Sequence, residues 1–353
     1  MMKYETFGRR ACKNKAPSGE NAVGITVTCA LLLLGLAFLL PLAVCGGRTP
    51  SAVKIPAEQT ETLPAIPQAE RGDGGKIRVL LADGTVETMA LSDYLFRVVS
   101  AEMPASFQPE ALKAQTVAAR TYALRKGQVG EKNHPNADVC CDIQCCQAYL
   151  TPEAAAAQWG GQQEEYTQKI KNAVTETDGV VITYGGALIQ AVFFSSTDRR
   201  TNDAVAVWGN AVPYLKGVES PEGEGDVPGY RSVVTLPAAE FQAKFLAEYP
   251  QAVFGDDPTA WFAAPTLAEN GEVEEQTVGG VPVTGIALRG LLGLRSAHFT
   301  ATVAEGEVRF AVTAYGHGVG LSQYGANVMA QNGADYREIL EHYYTGVTVG
   351  EKQ

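Results

Sequence analysis

The chain has 353 residues, 46% of them hydrophobic and 19% charged, with a formal net charge of −11. That length suits one large domain or two modest ones, and the composition excludes a wholly disordered or collagen-like chain. The acidic balance excludes general nucleic-acid binding, which needs clustered Lys and Arg to neutralise phosphates.

The charge is unevenly placed. Residues 1–20 carry five basic side chains (Lys3, Arg9, Arg10, Lys13, Lys15) against Glu5 and Glu20, a net +3, and residues 21–47 carry none. The remainder therefore carries −14, since −11 minus +3 is −14. The uncharged stretch holds an apolar run from Ile25 to Cys45. About 20 such residues span a bilayer as a helix. With basic residues only on its N-terminal flank, the run orients the N-terminus to the cytoplasm and everything from Gly46 onward outside. A cleaved signal peptide has a shorter apolar core of ~7–15 residues. Lipoprotein processing at Cys45 is the other alternative, against which stands bulky Val44 where a small residue belongs. The expectation is a basic cytoplasmic tail (1–23) and an uncleaved transmembrane anchor (24–45). Residues 46–75, with Pro50, Pro56, Pro64 and Pro67 among polar residues, form a linker.

Folding is expected from Lys76. Ile77–Leu81 and Val86–Leu91 around Asp83-Gly84 read as a β-hairpin. Ser92 is expected to cap a helix with Leu95, Val98 and Val99 on its apolar face. A second helix should run from Pro109 to about Arg125, with Pro in the first turn and an Ala-rich interior. Val180–Tyr184 and Ala191–Phe194 read as strands joined through Gly185-Gly186. Residues 225–300 look separable, with a strand (Ser232–Leu236) and a helix (Ala238–Tyr249). Ser322 is expected to cap a short helix ending near Asn332-Gly333. Asp335 and Glu338 form a capping box for a last helix that turns Ile339, Leu340 and Tyr343 inward. Hairpins with segregated helices indicate an α+β fold: a core over 76–224 and 301–353, and an inserted subdomain over 225–300.

Three groups of residues can carry chemistry. Glu102, between Val99 and Met103, would have a raised pKa if desolvated, as a general acid near neutral pH requires; the plainer alternative is a solvated loop carboxylate. Tyr315–Ala326 packs His317, Ser322, Gln323 and Tyr324 among Gly316, Gly318, Gly320 and Gly325. It matches neither a P-loop nor a dinucleotide fingerprint, and suits a polar ligand such as a sugar or a purely structural turn. His134, Cys140, Cys141, Cys145 and Cys146 place one imidazole and four thiols within thirteen residues. They fit tetrahedral Zn²⁺ or, outside the membrane, disulfides in any of three pairings; His134 tilts the balance toward metal. No Gly-x-Ser-x-Gly accompanies Ser195 and Ser196.

Taken together, Val99-Ser-Ala-Glu-Met-Pro104, Glu110–Ala123, Trp208-Gly with Pro213-Tyr-Leu215, Leu292–Ser296, Gly316–Ala326 and His342-Tyr-Tyr344 resemble, in order, the stage II sporulation protein D family, which includes the amidase enhancer of vegetative bacilli. The resemblance spans roughly residues 76–350. It implies a membrane-anchored lytic transglycosylase that cuts MurNAc–GlcNAc bonds of peptide-free peptidoglycan strands to 1,6-anhydro ends during forespore engulfment. It would act from the mother-cell membrane, facing the septal wall, beside a membrane-bound amidase or endopeptidase. A non-catalytic glycan-binding activator of an amidase is the alternative. Glu102 falls on the family's catalytic position, and Arg120, His317, Ser322, Gln323 and Tyr324 on positions expected to line the glycan cleft. The resemblance also implies a structural zinc ion on His134, Cys140 and Cys146, with Cys145 or Cys141 as fourth ligand. One departure stands out: where the family has Ser-Gly-Gly before a Thr, this chain reads Asp198-Arg199-Arg200-Thr201.

Overall fold

The computed structural model describes residues 75–351. The tail over 1–23, the anchor over 24–45 and all but the last residue of the linker lie outside the described residues. Among those described, no helix is long and apolar enough to cross a membrane.

The described residues begin with the expected hairpin, β1 (Lys76–Leu80) and β2 (Val86–Ala90). Its turn is closed by Asp83, whose Oδ1 accepts from the Thr85 backbone N–H and hydroxyl. Helix α1 (Leu91–Glu102) follows with no break, so Ser92 lies inside it and caps nothing. The physical reason is that the Leu91 N–H already donates to the Gly75 carbonyl, so the chain entering β1 satisfies the helix start. Helix α2 (Pro109–Val129) begins at its proline, as expected, and runs about a turn beyond Arg125 to Gly130, whose φ of 74° ends it. It is the central rod. Ala111, Leu112, Ala114, Val117, Ala118, Ala119 and Ala123 are all fully buried, and the small side chains let neighbouring elements pack closely.

Strand β3 (Val139–Cys140) pairs parallel with β1. Helices α3 (Pro152–Trp159) and α4 (Gln163–Glu176) pack beside α1 and α2. Strand β4 (Val180–Tyr184) turns through Gly185-Gly186 as expected, but its hairpin partner is β5 (Ala187–Leu188). The expected partner, Ala191–Phe194, contributes β6 (Phe193–Phe194), which pairs parallel with a strand more than a hundred residues on. A turn of two glycines at φ 56° and 82° reverses the chain too tightly to wait for residue 191. Helix α5 (Ala204–Trp208) follows.

A second core forms around β7 (Arg231–Pro237) and α6 (Ala238–Glu248). After β8 (Thr266–Leu267), β9 (Val273–Val278), β10 (Val281–Thr284) and α7 (Gly285–Leu292), strands β11 (Phe299–Ala304) and β12 (Glu307–Thr313) complete it. β12 is central, antiparallel to both β11 and β7. Its inward residues Val308, Phe310 and Val312 are buried with Phe241 and Phe245 of α6. This sheet therefore crosses the boundary drawn at residue 300: β12 registers on β7, Phe310 opposite Val234, and among the described residues it pairs only within this sheet.

The chain then returns to the first core through β13 (Leu321–Ser322), α8 (Gln323–Gln331), α9 (Tyr336–Tyr343) and β14 (Thr348–Glu351). Ser322 caps α8, and the Asp335–Glu338 capping box is present, as read from the sequence. β13 is the partner of β6, and β14 pairs antiparallel with β4. The fold is α+β.

One buried carboxylate ties this return together. Glu222 is 3% exposed. Its Oε1 accepts from the Thr197 N–H (2.9 Å) and the Ser322 hydroxyl, and its Oε2 from the Ser220 hydroxyl (2.5 Å). Because Ser220 gives its only proton to Glu222, the Tyr343 hydroxyl, 2.6 Å away, must donate to Ser220. Gly325 makes room: a Cβ there would collide with the Tyr343 hydroxyl and Ser220.

Arg199 has φ 63°, the left-handed region that glycine favours. The backbone thus keeps a glycine conformation where the sequence departs from the family's glycines, and the arginine bears a cost of about 1 kcal/mol. Arg199→Gly is expected to raise stability by about 1 kcal/mol in chemical denaturation. Glu222→Ala leaves three buried donors without an acceptor and should cost roughly 3–5 kcal/mol, read as a lowered denaturation midpoint at unchanged slope.

Candidate active site and cysteine cluster

Glu102 is the last residue of α1. Its carboxyl sits where the negative end of the helix dipole and the surrounding protein both disfavour ionisation. The Ala148 backbone N–H donates to its Oε1 at 2.6 Å, and the Gln323 amide faces it from the first turn of α8. Burial is the largest influence and outweighs these donors, so the carboxyl is raised to about 7. No charged neighbour contributes among the described residues. Such a group is near half-protonated at neutral pH and can both give and take a proton.

Gln323 is 6% exposed, and its Nε2 donates to Oε1 of fully buried Gln115 at 3.5 Å. The Gln115 Nε2 has no partner. Tyr324 is partly exposed and stands edge-on to Phe107, centroids 4.9 Å apart. The loop before α8 carries positive φ at Gly316, Gly318 and Gly320. At Gly320 a side chain would strike the Val192 carbonyl, so only glycine permits the approach that lets β13 reach β6. His317 lies on this loop, its ring against Phe194 and Trp208 (5.6 and 5.5 Å). Its Nδ1 accepts from the Val319 N–H. Desolvation, aided by the Arg289 charge, pushes the imidazole down to about 4, so it is neutral at physiological pH.

Two of the expected cleft residues are buried in internal hydrogen bonds. Arg120 is 1% exposed and donates to the Val180 and Val174 carbonyls (3.2 and 3.4 Å), joining the end of α4 to β4. A guanidinium inside α2 needs acceptors, and the Val174 carbonyl in the last turn of α4 and the Val180 carbonyl of β4 are among those that supply them. Ser322 is fully buried, its hydroxyl committed to Glu222 and to the cap of α8. Glu222, the Ala148 N–H, Arg289 and Glu272 were not singled out from the sequence. Only Glu222 left a trace there, as a carboxylate between Pro221 and Gly223, two residues after Ser220.

The cysteine-rich loop brings four donors together. One ligand atom from each of His134, Cys140, Cys145 and Cys146 lies within 4.8 Å of every other. His134 Nδ1 is 3.1 Å from the Ala137 carbonyl, which fixes it as the protonated nitrogen and leaves Nε2 free, 3.3 Å from Cys146 Sγ. Cys145 and Cys146 sulfurs are 3.9 Å apart, unbonded. Cys141 lies outside this group. The three thiols share charge: the Cys146 S–H bonded to Cys140 draws Cys140 down to about 6 and pushes Cys146 up. Strand β3 fixes Cys140 beside Leu80, and Arg78 clamps the loop through Asp138 at 2.7 Å.

The family model described as "Stage II sporulation protein" matches residues 82–184. "Stage II sporulation protein D" of Bacillus amyloliquefaciens is 37% identical over 268 residues, covering 76% of each chain. "Stage II sporulation protein D" of Bacillus subtilis (strain 168) is 34% identical over 334 residues, covering 94% of this chain and 95% of the relative. The "Amidase enhancer" of Bacillus subtilis (strain 168) is 26% identical over 311 residues, covering 71% of this chain and 39% of that longer protein. At that identity over nearly the whole length, the chain belongs to the stage II sporulation protein D family.

Proposed function

We propose that the protein is a lytic transglycosylase that cuts MurNAc–GlcNAc bonds of peptide-free glycan strands during sporulation, held at the membrane by residues 24–45. The observation that carries this reading is a single desolvated carboxyl, Glu102, raised to about 7 with no charged partner among the described residues. Glycosidases that use water need a second carboxylate ~5–9.5 Å away. A transglycosylase needs one. Glu102 as acid protonates the glycosidic oxygen, and the bond to the muramyl anomeric carbon breaks. The resulting carboxylate takes the proton of the muramyl C6 hydroxyl, whose oxygen bonds to that carbon. A 1,6-anhydro end forms, the proton balance closes, and no water is consumed. The Ala148 N–H and the Gln323 amide hold the carboxylate between the two steps. Removal of stem peptides by a membrane-bound amidase would supply the strand.

His134, Cys140, Cys145 and Cys146 fit a structural zinc ion: three sulfurs and one imidazole nitrogen, all within 4.8 Å of one another, are a donor set zinc takes tetrahedrally. The ion would tie the loop that carries Ala148, two residues past Cys146, and so would position Glu102 without taking part in proton transfer.

The likeness to an amidase enhancer favours a second reading, a glycan-binding activator of an amidase. The two readings part on products. With denuded strands, the first expects 1,6-anhydro-muramyl ends by mass spectrometry and at least a 10³-fold loss in Glu102→Gln. Undiminished cleavage in that variant, or no anhydro ends, overturns it.

The pH dependence follows from the sign of the shift. The reaction starts from the protonated acid, so turnover should fall as pH rises through about 7. A carboxyl raised on folding adds stability that is complete below its unfolded value, near 4.5, and lost as pH rises through about 7. Glu102→Gln should therefore be increasingly more stable than the parent from pH 4.5 to 7, the gain levelling off above. Elemental analysis should find one zinc per chain, lost in Cys140→Ser together with most cleavage activity.

A further inference from the structure

The Gly316–Gly320 loop carries a second group of side chains that the acid–base step does not use. Asn202 Nδ2 donates to Glu272 Oε2 (2.8 Å) and to the His317 carbonyl (3.2 Å), and Asn270 Nδ2 donates to Asn202 Oδ1 (2.6 Å). These amides bind the Asn270–Glu272 turn to the loop. Arg289, in the last turn of α7, reaches the same place: its charge acts on Glu272, Tyr315 and His317. Two large rings lie open beside it, Trp208 at 40% and Tyr315 at 45% exposure.

The two arginines on this face are treated differently. Arg295 is satisfied, donating to the Gly229 carbonyl at 2.8 Å and stacking on Tyr315 at 4.4 Å. Arg289 is half-buried, with its Nε enclosed and without an acceptor. Among the described residues its side chain makes no hydrogen bond and no ion pair. Glu272 attracts it but stays beyond ion-pair distance, one of its oxygens taken by Asn202. A guanidinium that has lost part of its water and gained no acceptor is costly. Its planar fork matches a carboxylate, which repays the cost when it binds.

The glycan offers one such group. Each muramyl residue carries a 3-O-lactyl substituent. While the stem peptide is attached, the lactyl carbonyl is an amide. When an amidase has removed the peptide, it is a free carboxylate, the single charge of each disaccharide.

We propose that Arg289 is a specificity-determining residue that receives the lactyl carboxylate of a peptide-free muramyl unit, with Trp208 and Tyr315 as stacking faces for neighbouring sugars. The proposal rests on the glycan reading above. It makes peptide removal something the protein reads by charge as well as by size.

The test is binding by calorimetry to the full chain. The probes are a peptide-free MurNAc–GlcNAc tetrasaccharide and the same sugar with its lactyl carboxylates converted to methylamides. The parent should bind the carboxylate form tenfold or more tightly. Arg289→Gln should erase the difference, and Arg289→Lys should keep part of it, with unchanged melting temperatures confirming that both variants fold. Equal affinity of the parent for both sugars, or a difference that survives Arg289→Gln, overturns the proposal while leaving the cleavage reading intact. A carboxylate preference that depends on Arg289 in a protein forming no anhydro ends supports the proposal and overturns the cleavage reading. Failure to bind either sugar overturns both.

Discussion

The hydrogen bond from the Ala148 N–H to Glu102 sets much of the architecture around it. A carboxyl at the C-terminal end of a helix, inside protein, is unstable as a carboxylate. One backbone donor keeps ionisation within reach of neutral pH without abolishing the shift. For that donor to be reliable, the loop behind Ala148 must be rigid. The loop packs Val139, Cys146 and Tyr149 against the core beside α1, and its neighbours add further ties. Arg78 grips Asp138, Lys126 grips Glu131, β3 registers on β1, and His134 closes with the cysteines. Gln147 lies inward, accepting from the Tyr94 hydroxyl. The loop is long because it must travel from the end of α2 past β1 and back to α1.

On the opposite side the constraint is the start of α8. Gln323 faces Glu102 only because Ser322 caps the helix at that point, and Ser322 is fixed by Glu222. The same carboxylate holds Thr197 at the end of β6 and, through Ser220, Tyr343 of α9. A buried charge is a poor source of net stability but a strong source of registry, because no other arrangement satisfies it. Gly325 and Gly320 admit the close approaches this arrangement needs.

Local chemistry made much of this legible before any coordinates. The hairpin at Asp83-Gly84, Pro109 at a helix start, Ser322 as a cap and the Asp335–Glu338 box are all decided by residues within a few positions of one another. Glu102 stood out because apolar neighbours flank it, and the cysteine spacing indicated a cluster. What escaped was decided by partners far along the chain. The Gly75 carbonyl displaces Ser92 as the cap of α1, and β13 captures Phe193-Phe194 from a local hairpin. Arg120 and Ser322, which the resemblance put on expected cleft positions, are both held by internal acceptors: α2 is Ala-rich and buried nearly all round, so no apolar stripe marks off an open side for Arg120, and Ser322 is held by a carboxylate a hundred residues away. Arg289 had no motif at all. Only its burial without a partner marks it.

Net charge now bears on how a ligand is recognised. The region after the apolar run carries −14, so a polyanion gains nothing from long-range attraction. Charges separated by more than about 8–10 Å are screened at physiological ionic strength in any case. Recognition of an acidic group must then be short-range, by a cation whose own hydration is already partly lost. Arg289 meets that condition, and its neutral companions Asn202 and His317 add no competing positive charge. An acidic sequence without long-range pull on anions leaves recognition to one partly desolvated guanidinium. In the proposal, Arg289 accepts the one carboxylate that appears when the peptide is gone.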